Sequence, residues 1–413
     1  MQYNDLRLDG FFPALLVPPE TTLSISIAFN LLVLSIFLST WRNVPGTLIQ
    51  LFIAPFTVHY FLDYGFGNYV THGPAVDIGL ALVGLYGVMR VLETTFVGLL
   101  DANLPYWIVD GKEAPVSTSL LGRLAYAIDL ATSLRGNSWF ANTHWNWAPR
   151  ALSVNSPTRF MTRTQFLRSN LLSFMPQYLV FDILDTINKS RTWDTSSPYP
   201  ITSLPWYEQM IFSTSVCACT ALSITVPYTA ISSLFVLLGS HPESWPPMFD
   251  APFTATSLAD FWTKRWHAIF RRVFERLSIA VLRVIPVPKG AQRSIRSIVV
   301  FGLSASLHIM LIYRVDIGAT EYPRTFLDPS IFKFFLSQPP GLALEVLFVL
   351  PSCNTFVAPR WRSVVTRIWT WVFLLWAGRF WSDVWVGRGF WDPTQRCVGW
   401  SIVRGMLYGQ WAI

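Results

Sequence analysis

The stretch Arg296–Arg314, RSIVVFGLSASLHIMLIYR, is an apolar run closed by an arginine at each end, with one histidine, His308, inside it. Seventeen residues (297–313) lie between the arginines. At a rise of about 1.5 Å per residue, that is the lower end of a membrane-spanning helix. A charged side chain at membrane depth costs roughly 2.5–3.5 kcal/mol on insertion scales, and a neutral histidine less. A histidine kept there marks a functional position or a polar contact between helices.

Composition sets the class. Of the 413 residues, 52% are hydrophobic and only 13% charged, where a soluble domain carries about 25% charged residues. Together with several long apolar runs, this predicts an all-α, polytopic integral membrane protein. Nineteen Trp and 31 Phe fit aromatic belts at the two interfaces. The net charge of +7 comes from basic residues in segments between the apolar runs, which membrane topology explains without nucleic acid. Cys217, Cys219, Cys353 and Cys397 show no CxxC spacing, and they read as unbridged residues rather than a zinc site or disulfide framework. No metal site is expected. MQYNDLRLDG (1–10) has no basic region of the kind that opens a cleaved signal peptide, so the first membrane helix is expected to direct targeting itself.

Working outward from His308, apolar runs cover about 23–40, 47–64, 75–100, 166–187, 210–238, 332–350 and 364–385. With the His308 helix they make eight expected spans, and a weaker run at 398–413 is a ninth candidate. The run 210–238 carries Pro227, a candidate break. The second run holds His59 and Asp63, and the third Arg90 and Glu93, at spacings that place each pair on one helix face. Their simplest reading is mutual neutralisation inside the bundle, and it leaves His59 as a rival to His308. Residues 101–168 read as a long basic loop containing RGNSWFANTHWNWAPR (135–150), and the whole chain, 1–413, as one membrane-embedded domain.

The segment 257–285, SLADFWTKRWHAIFRRVFERLSIAVLRVI, reads as a basic amphipathic helix on the membrane surface. Ser257 with Asp260 three residues on resembles a helix-capping signature. His267 stands within this segment, beside Trp266. The basic segments 101–168 and 257–296 are both placed on the cytoplasmic side, which puts the N-terminus outside or in the lumen. The sequon Asn188-Lys189-Ser190 then falls in a lumenal loop, as a candidate glycosylation site.

A buried neutral histidine can take a proton from a hydroxyl, and a second polar group can stabilise an oxyanion. The basic residues around His267 would favour a phosphate-bearing co-substrate. SLADFWTKRWHAIFRR (257–272), followed by GLSASLHIM (302–310), resembles the wax-synthase-like branch of the membrane-bound O-acyltransferases. That branch carries a Ser-Leu-x-Asp-Phe-Trp…Arg-Trp-His/Asn block and then a helix with the key histidine. RGNSW…WNW more loosely resembles an Arg-Gly…Trp block that precedes it. Thr263-Lys264 departs from the Gly-Arg expected there.

The resemblance implies that His308 is the catalytic base and His267 the second polar position, supported by Asp260, Phe261, Trp262, Arg265 and Trp266. It is most like the fungal members that acetylate terpenoid and meroterpenoid hydroxyls in secondary metabolism. It implies acetyl-CoA as co-substrate with no bound cofactor, a hydrophobic alcohol as acceptor, and the endoplasmic reticulum membrane as location. No Ser or Cys reads as a nucleophile, so direct transfer in a ternary complex is expected. The alternatives are a long-chain acyl-CoA:alcohol acyltransferase making wax or sterol esters, a multi-helix transporter using His59–Asp63 and Arg90–Glu93 as a polar path, and a membrane scaffold.

Overall fold

The computed structural model describes residues 19–67, 74–148, 158, 161–195, 197, 199–318, 328–392 and 398–412. Its helices follow the apolar runs. They are α1 (Pro19–Ser39), α2 (Val44–Leu62), α3 (Pro74–Val91), α4 (Leu120–Thr132), α5 (Arg163–Lys189), α6 (Trp206–Leu237), α7 (Arg271–Val284), α8 (Gln292–Gly318), α9 (Pro329–Phe356), α10 (Pro359–Val386) and α11 (Ile402–Tyr408). Local chemistry sets several ends. Asn43 caps α2, and Thr162 with Gln165 closes a reciprocal capping box on α5.

Among the described residues, six helices are long and apolar enough to cross a membrane: α1, α2, α3, α6, α8 and α9. The protein is a multi-pass membrane protein. Its lipid-facing surface is visible on α2, where Leu48, Phe52 and Phe56 are exposed. Helices α5 and α10 are 27 and 28 residues long but too polar for that set. In α5 the polarity is internal. Asp182 accepts from Ser401 Oγ and the Val403 N–H, and Asp185 pairs with Lys189 and Arg404. The ninth candidate is not a span. The run 398–413 folds only seven residues into helix α11, about 10 Å of length against a hydrocarbon core of about 30 Å. Helix α6 runs unbroken through Pro227.

Two readings of the basic segments need correction. Residues 101–168 are not an open loop. Their described residues include a three-stranded antiparallel sheet in the order β2–β1–β3 (β1 Trp107–Val109, β2 Lys112–Ala114, β3 Thr143–Trp145) and helix α4. The tryptophans serve as its core. Trp145 is wholly buried against Trp107 and Tyr126, and Asp129 accepts from Trp107 Nε1 and the Trp139 N–H. The segment 257–285 is likewise not one helix. A short turn, Leu258–Asp260, widens into a π turn at Phe261–Arg265, the chain breaks at Trp266–Phe270, and only then does α7 begin.

Packing has three apolar clusters. One joins α5, α6, α8, α9 and α10, one gathers α1–α4 and the sheet, and a third sits among α3, α7 and α8. Helix α8 is shared, giving Ala305, Ile309 and Ile312 to the first cluster and Leu307 and Leu311 to the third. Charge also ties the parts together. Buried Glu93 meets Arg90, Arg272 (2.6 Å) and Arg276 (3.3 Å), and Arg276 reaches Asp101 at 2.5 Å. Arg314 is no interfacial terminus, since α8 continues past it and the guanidinium is buried against Asp77 at 3.0 Å. The expected His59–Asp63 pair does not form. His59 is exposed beside Tyr60, and Asp63 accepts from Ser24 Oγ at 2.5 Å.

Removing one partner from a buried ionic cluster leaves the other charges uncompensated. Glu93→Ala should therefore cost about 3–5 kcal/mol. Glu275→Ala, which breaks the half-exposed Arg271–Glu275 pair, should cost only about 0.3–0.5 kcal/mol. Apparent unfolding temperatures in detergent would separate the two, and equal losses would contradict the hub.

Candidate active site

The break at Trp266–Phe270 carries the motif histidine inward. Ser257 caps the preceding turn by accepting the Asp260 N–H at 2.9 Å. Asp260 in turn accepts from Arg265 Nε at 2.6 Å, with Lys264 Nζ at 3.6 Å. A second carboxylate holds the start of this turn from outside, as Glu345 on α9 accepts the N–H groups of Leu258 (2.7 Å) and Ala259 (3.4 Å). Trp262 Nε1 donates to Gln338 Oε1 at 3.0 Å, also on α9. Phe261, Trp262 and Trp266 pack on one another. Asp260, Phe261, Trp262, Arg265 and Trp266 thus frame the turn that delivers His267.

His267 and His308 line the same cavity, of about 1700 Å³. His308 Nδ1 stands 2.7 Å from the Ser304 carbonyl oxygen. A carbonyl can only accept, so Nδ1 holds the proton and Nε2 keeps its lone pair. Phe335 and Trp381 clasp the ring, with centroids at 4.7 and 5.2 Å. His267 has a buried Nδ1 with no hydrogen-bond partner, an open polar atom of the kind that a substrate can satisfy. Burial above all, with His308 and Arg135 nearby, holds its pKa down at about 3, so the ring is neutral at ordinary pH. His59, the rival, does not line the cavity.

The other walls differ in chemistry. Arg271, Arg293 and Arg296 line the cavity, together with Glu275, which pairs with Arg271 at 3.0 Å. Helices α5 and α6 give a hydroxyl- and amide-bearing wall that includes Asn170, Gln177, Thr214, Thr225 and Thr229. Each of these threonines donates to the carbonyl four residues back in its own helix, at 2.6, 2.7 and 2.9 Å. Pro339, Pro340, Val346 and Leu347 of α9 make an apolar stretch. Cys217 also lines the cavity, and Cys219 and Cys353 are buried and unbridged. Cys397 lies outside the described residues.

Glu345, Gln338 and Ser304 were not singled out in the sequence. Glu345 had left a signal, as a lone carboxylate in an apolar run. Asn188 is placed differently from its expectation. It lies in the last turn of α5, wholly buried, with Nδ2 against Cys219 Sγ at 3.5 Å. The folded chain has no room for a glycan there, because the run 166–187 extends its helix through the sequon.

Residues 245–336, which hold the motif turn, both histidines, α8 and the start of α9, match the membrane bound O-acyl transferase family. Acetyltransferase ataH of Aspergillus terreus is 33% identical over 159 residues, 37% of this chain and 50% of the relative. Acetyltransferase ple2 of Rhodocybe pseudopiperita is 26% identical over 332 residues, 78% of this chain and 82% of the relative. Acetyltransferase atnC of Arthrinium sp is 29% identical over 282 residues, 62% of each. The chain therefore spans half of the first relative's length and more of the other two. No solved structure matches. These similarities bear out the resemblance read from the 257–272 block.

The neutral state of His267 gives a pH signature. An unfolded histidine titrates near 6.5, while the folded ring holds no proton until about pH 3. Between those values the unfolded chain binds more protons, so stability falls as pH falls. His267→Gln should flatten the loss of apparent unfolding temperature between pH 7 and 5. An unchanged slope would mean that the ring is solvated.

Proposed function

We propose that this protein transfers an acetyl group from acetyl-CoA to a hydroxyl of a terpenoid or meroterpenoid intermediate in fungal secondary metabolism. The single observation that carries the reading is that His308, His267 and three arginines line one cavity within a membrane protein. The acetyltransferase names of the fungal relatives support the acyl group and the setting.

In this reading the CoA phosphates lie toward Arg271, Arg293 and Arg296, and the acceptor occupies the wall of α5 and α6. His308 Nε2 takes the hydroxyl proton as the alcohol oxygen attacks the thioester carbonyl. The oxygen–carbon bond forms and a tetrahedral oxyanion results. Collapse breaks the carbon–sulfur bond, and the proton on His308 passes to the departing CoA thiolate. His267 is the second polar group at the reacting carbonyl. No acyl-enzyme is formed. The basic wall opens to the cytosol and the membrane is that of the endoplasmic reticulum.

The test is transfer of label from radiolabelled acetyl-CoA to a panel of hydroxylated terpenoids, using membranes at matched expression. The intact protein should form ester. His308→Ala should lose about 10²–10⁴-fold, the range for a positioned acid–base group, and His267→Ala should also be impaired. A fully active His308→Ala variant would remove the proposed base. Label taken only from a long-chain acyl-CoA would redirect the reading to wax or sterol ester synthesis.

A further inference from the structure

Arg135 is buried behind the cavity wall, at 5% exposure. Among the described residues no carboxylate lies within ion-pairing distance of it. It is spent on neutral oxygens instead. Nη1 donates to the carbonyls of Pro247 (2.8 Å) and Met248 (3.2 Å). Nη2 donates to the Pro246 carbonyl (2.5 Å) and to Tyr228 Oη (3.3 Å), and Tyr228 itself donates to Pro246 at 2.6 Å. A guanidinium buried without a counter-ion is costly, and what it supplies in return is a planar fork of donors with fixed directions.

The carbonyls it holds belong to a strap, residues 245–250, whose Trp245, Pro247, Met248 and Phe249 line the cavity. The strap leads to the histidine. The Asp250 N–H donates to the Arg265 carbonyl at 3.0 Å, and the Phe249 ring lies edge-on to Trp266 (4.9 Å) and to His267 (6.0 Å). Gly136 fixes the approach from the other side. Its φ is +87°, and a Cβ there would stand 2.6 Å from Ala148 Cα, so the backbone after Arg135 admits no side chain.

We propose that Arg135 is a positioning residue, which sets the ring of His267 through the 245–250 strap and Phe249. This role rests on the proposed reaction. Arg135→Lys keeps the charge and loses the fork. Phe249→Leu loosens the ring contact without touching the buried charge, and it carries the same expectation should the lysine variant fold poorly. His267→Asn supplies the background in which the clamp has no histidine to set.

Kinetics per folded protein would be measured with acetyl-CoA and the best-acetylated terpenoid of the panel. Arg135→Lys and Phe249→Leu should each lower kcat about tenfold, with KM for acetyl-CoA within about twofold. In the His267→Asn background, Arg135→Lys should add no further loss, because both changes act on one element. The same loss with and without His267 would overturn the clamp while leaving the reaction standing. So would lysine and leucine variants that lower only the amount of folded protein. An active intact protein whose His267→Asn form is unimpaired would remove the role of His267 and this role with it. An intact protein that transfers no acetyl group would overturn the reaction itself.

Discussion

A carboxylate cut off from water has to be met by enough donors to replace its hydration, and two such groups hold the motif in place. Glu93 draws Arg90 from its own helix and Arg272 and Arg276 from α7. Glu345 accepts the first free N–H groups of the motif turn, which no helical carbonyl could serve. The segment between them is pinned at both ends by elements distant in sequence. The break at Trp266–Phe270 can therefore persist, and it carries His267 out of a helix and into the cavity.

The same logic recurs where the bundle meets its ends. Asp182 and Asp185 on α5 fasten the C-terminal segment, Asp383 accepts from Ile201 and Thr202, and Arg388 bridges Asp316 and Asp328. Lipid offers helices little hydrophobic reason to prefer one another, so paired polar groups carry much of the choice of partner. The charged residues of α5 and α10 make them look unlike spans by composition, yet several of those charges are the fastenings.

Legibility in the sequence follows the range of the interactions. The apolar runs were readable because length and hydropathy are local, and the helices fall within a few residues of them. His308 was readable because an ionisable group in such a run is conspicuous. The sheet at 107–145 was not, because its strands are three residues long and its tryptophans pass equally for interfacial ones. The break before α7 was not, because Glu345 and Gln338, which stabilise it, lie some 80 residues downstream and carry no mark of their target. Asn188 misled because a sequon says nothing of where its helix ends.

Thr214 and Thr225 of α6 differ from the motif side chains in one respect that bears on descent. Each spends its hydroxyl proton on its own helix, so exchanging either for an apolar residue strands no buried partner elsewhere. Glu93, Glu345 and Arg135 have no such freedom, since each is the partner on which several others rely. These two cavity positions can thus drift at little structural cost while the motif turn is held fixed. On the proposed reaction, a single scaffold is in this way open to a change of acceptor through neutral steps, with the reacting residues kept.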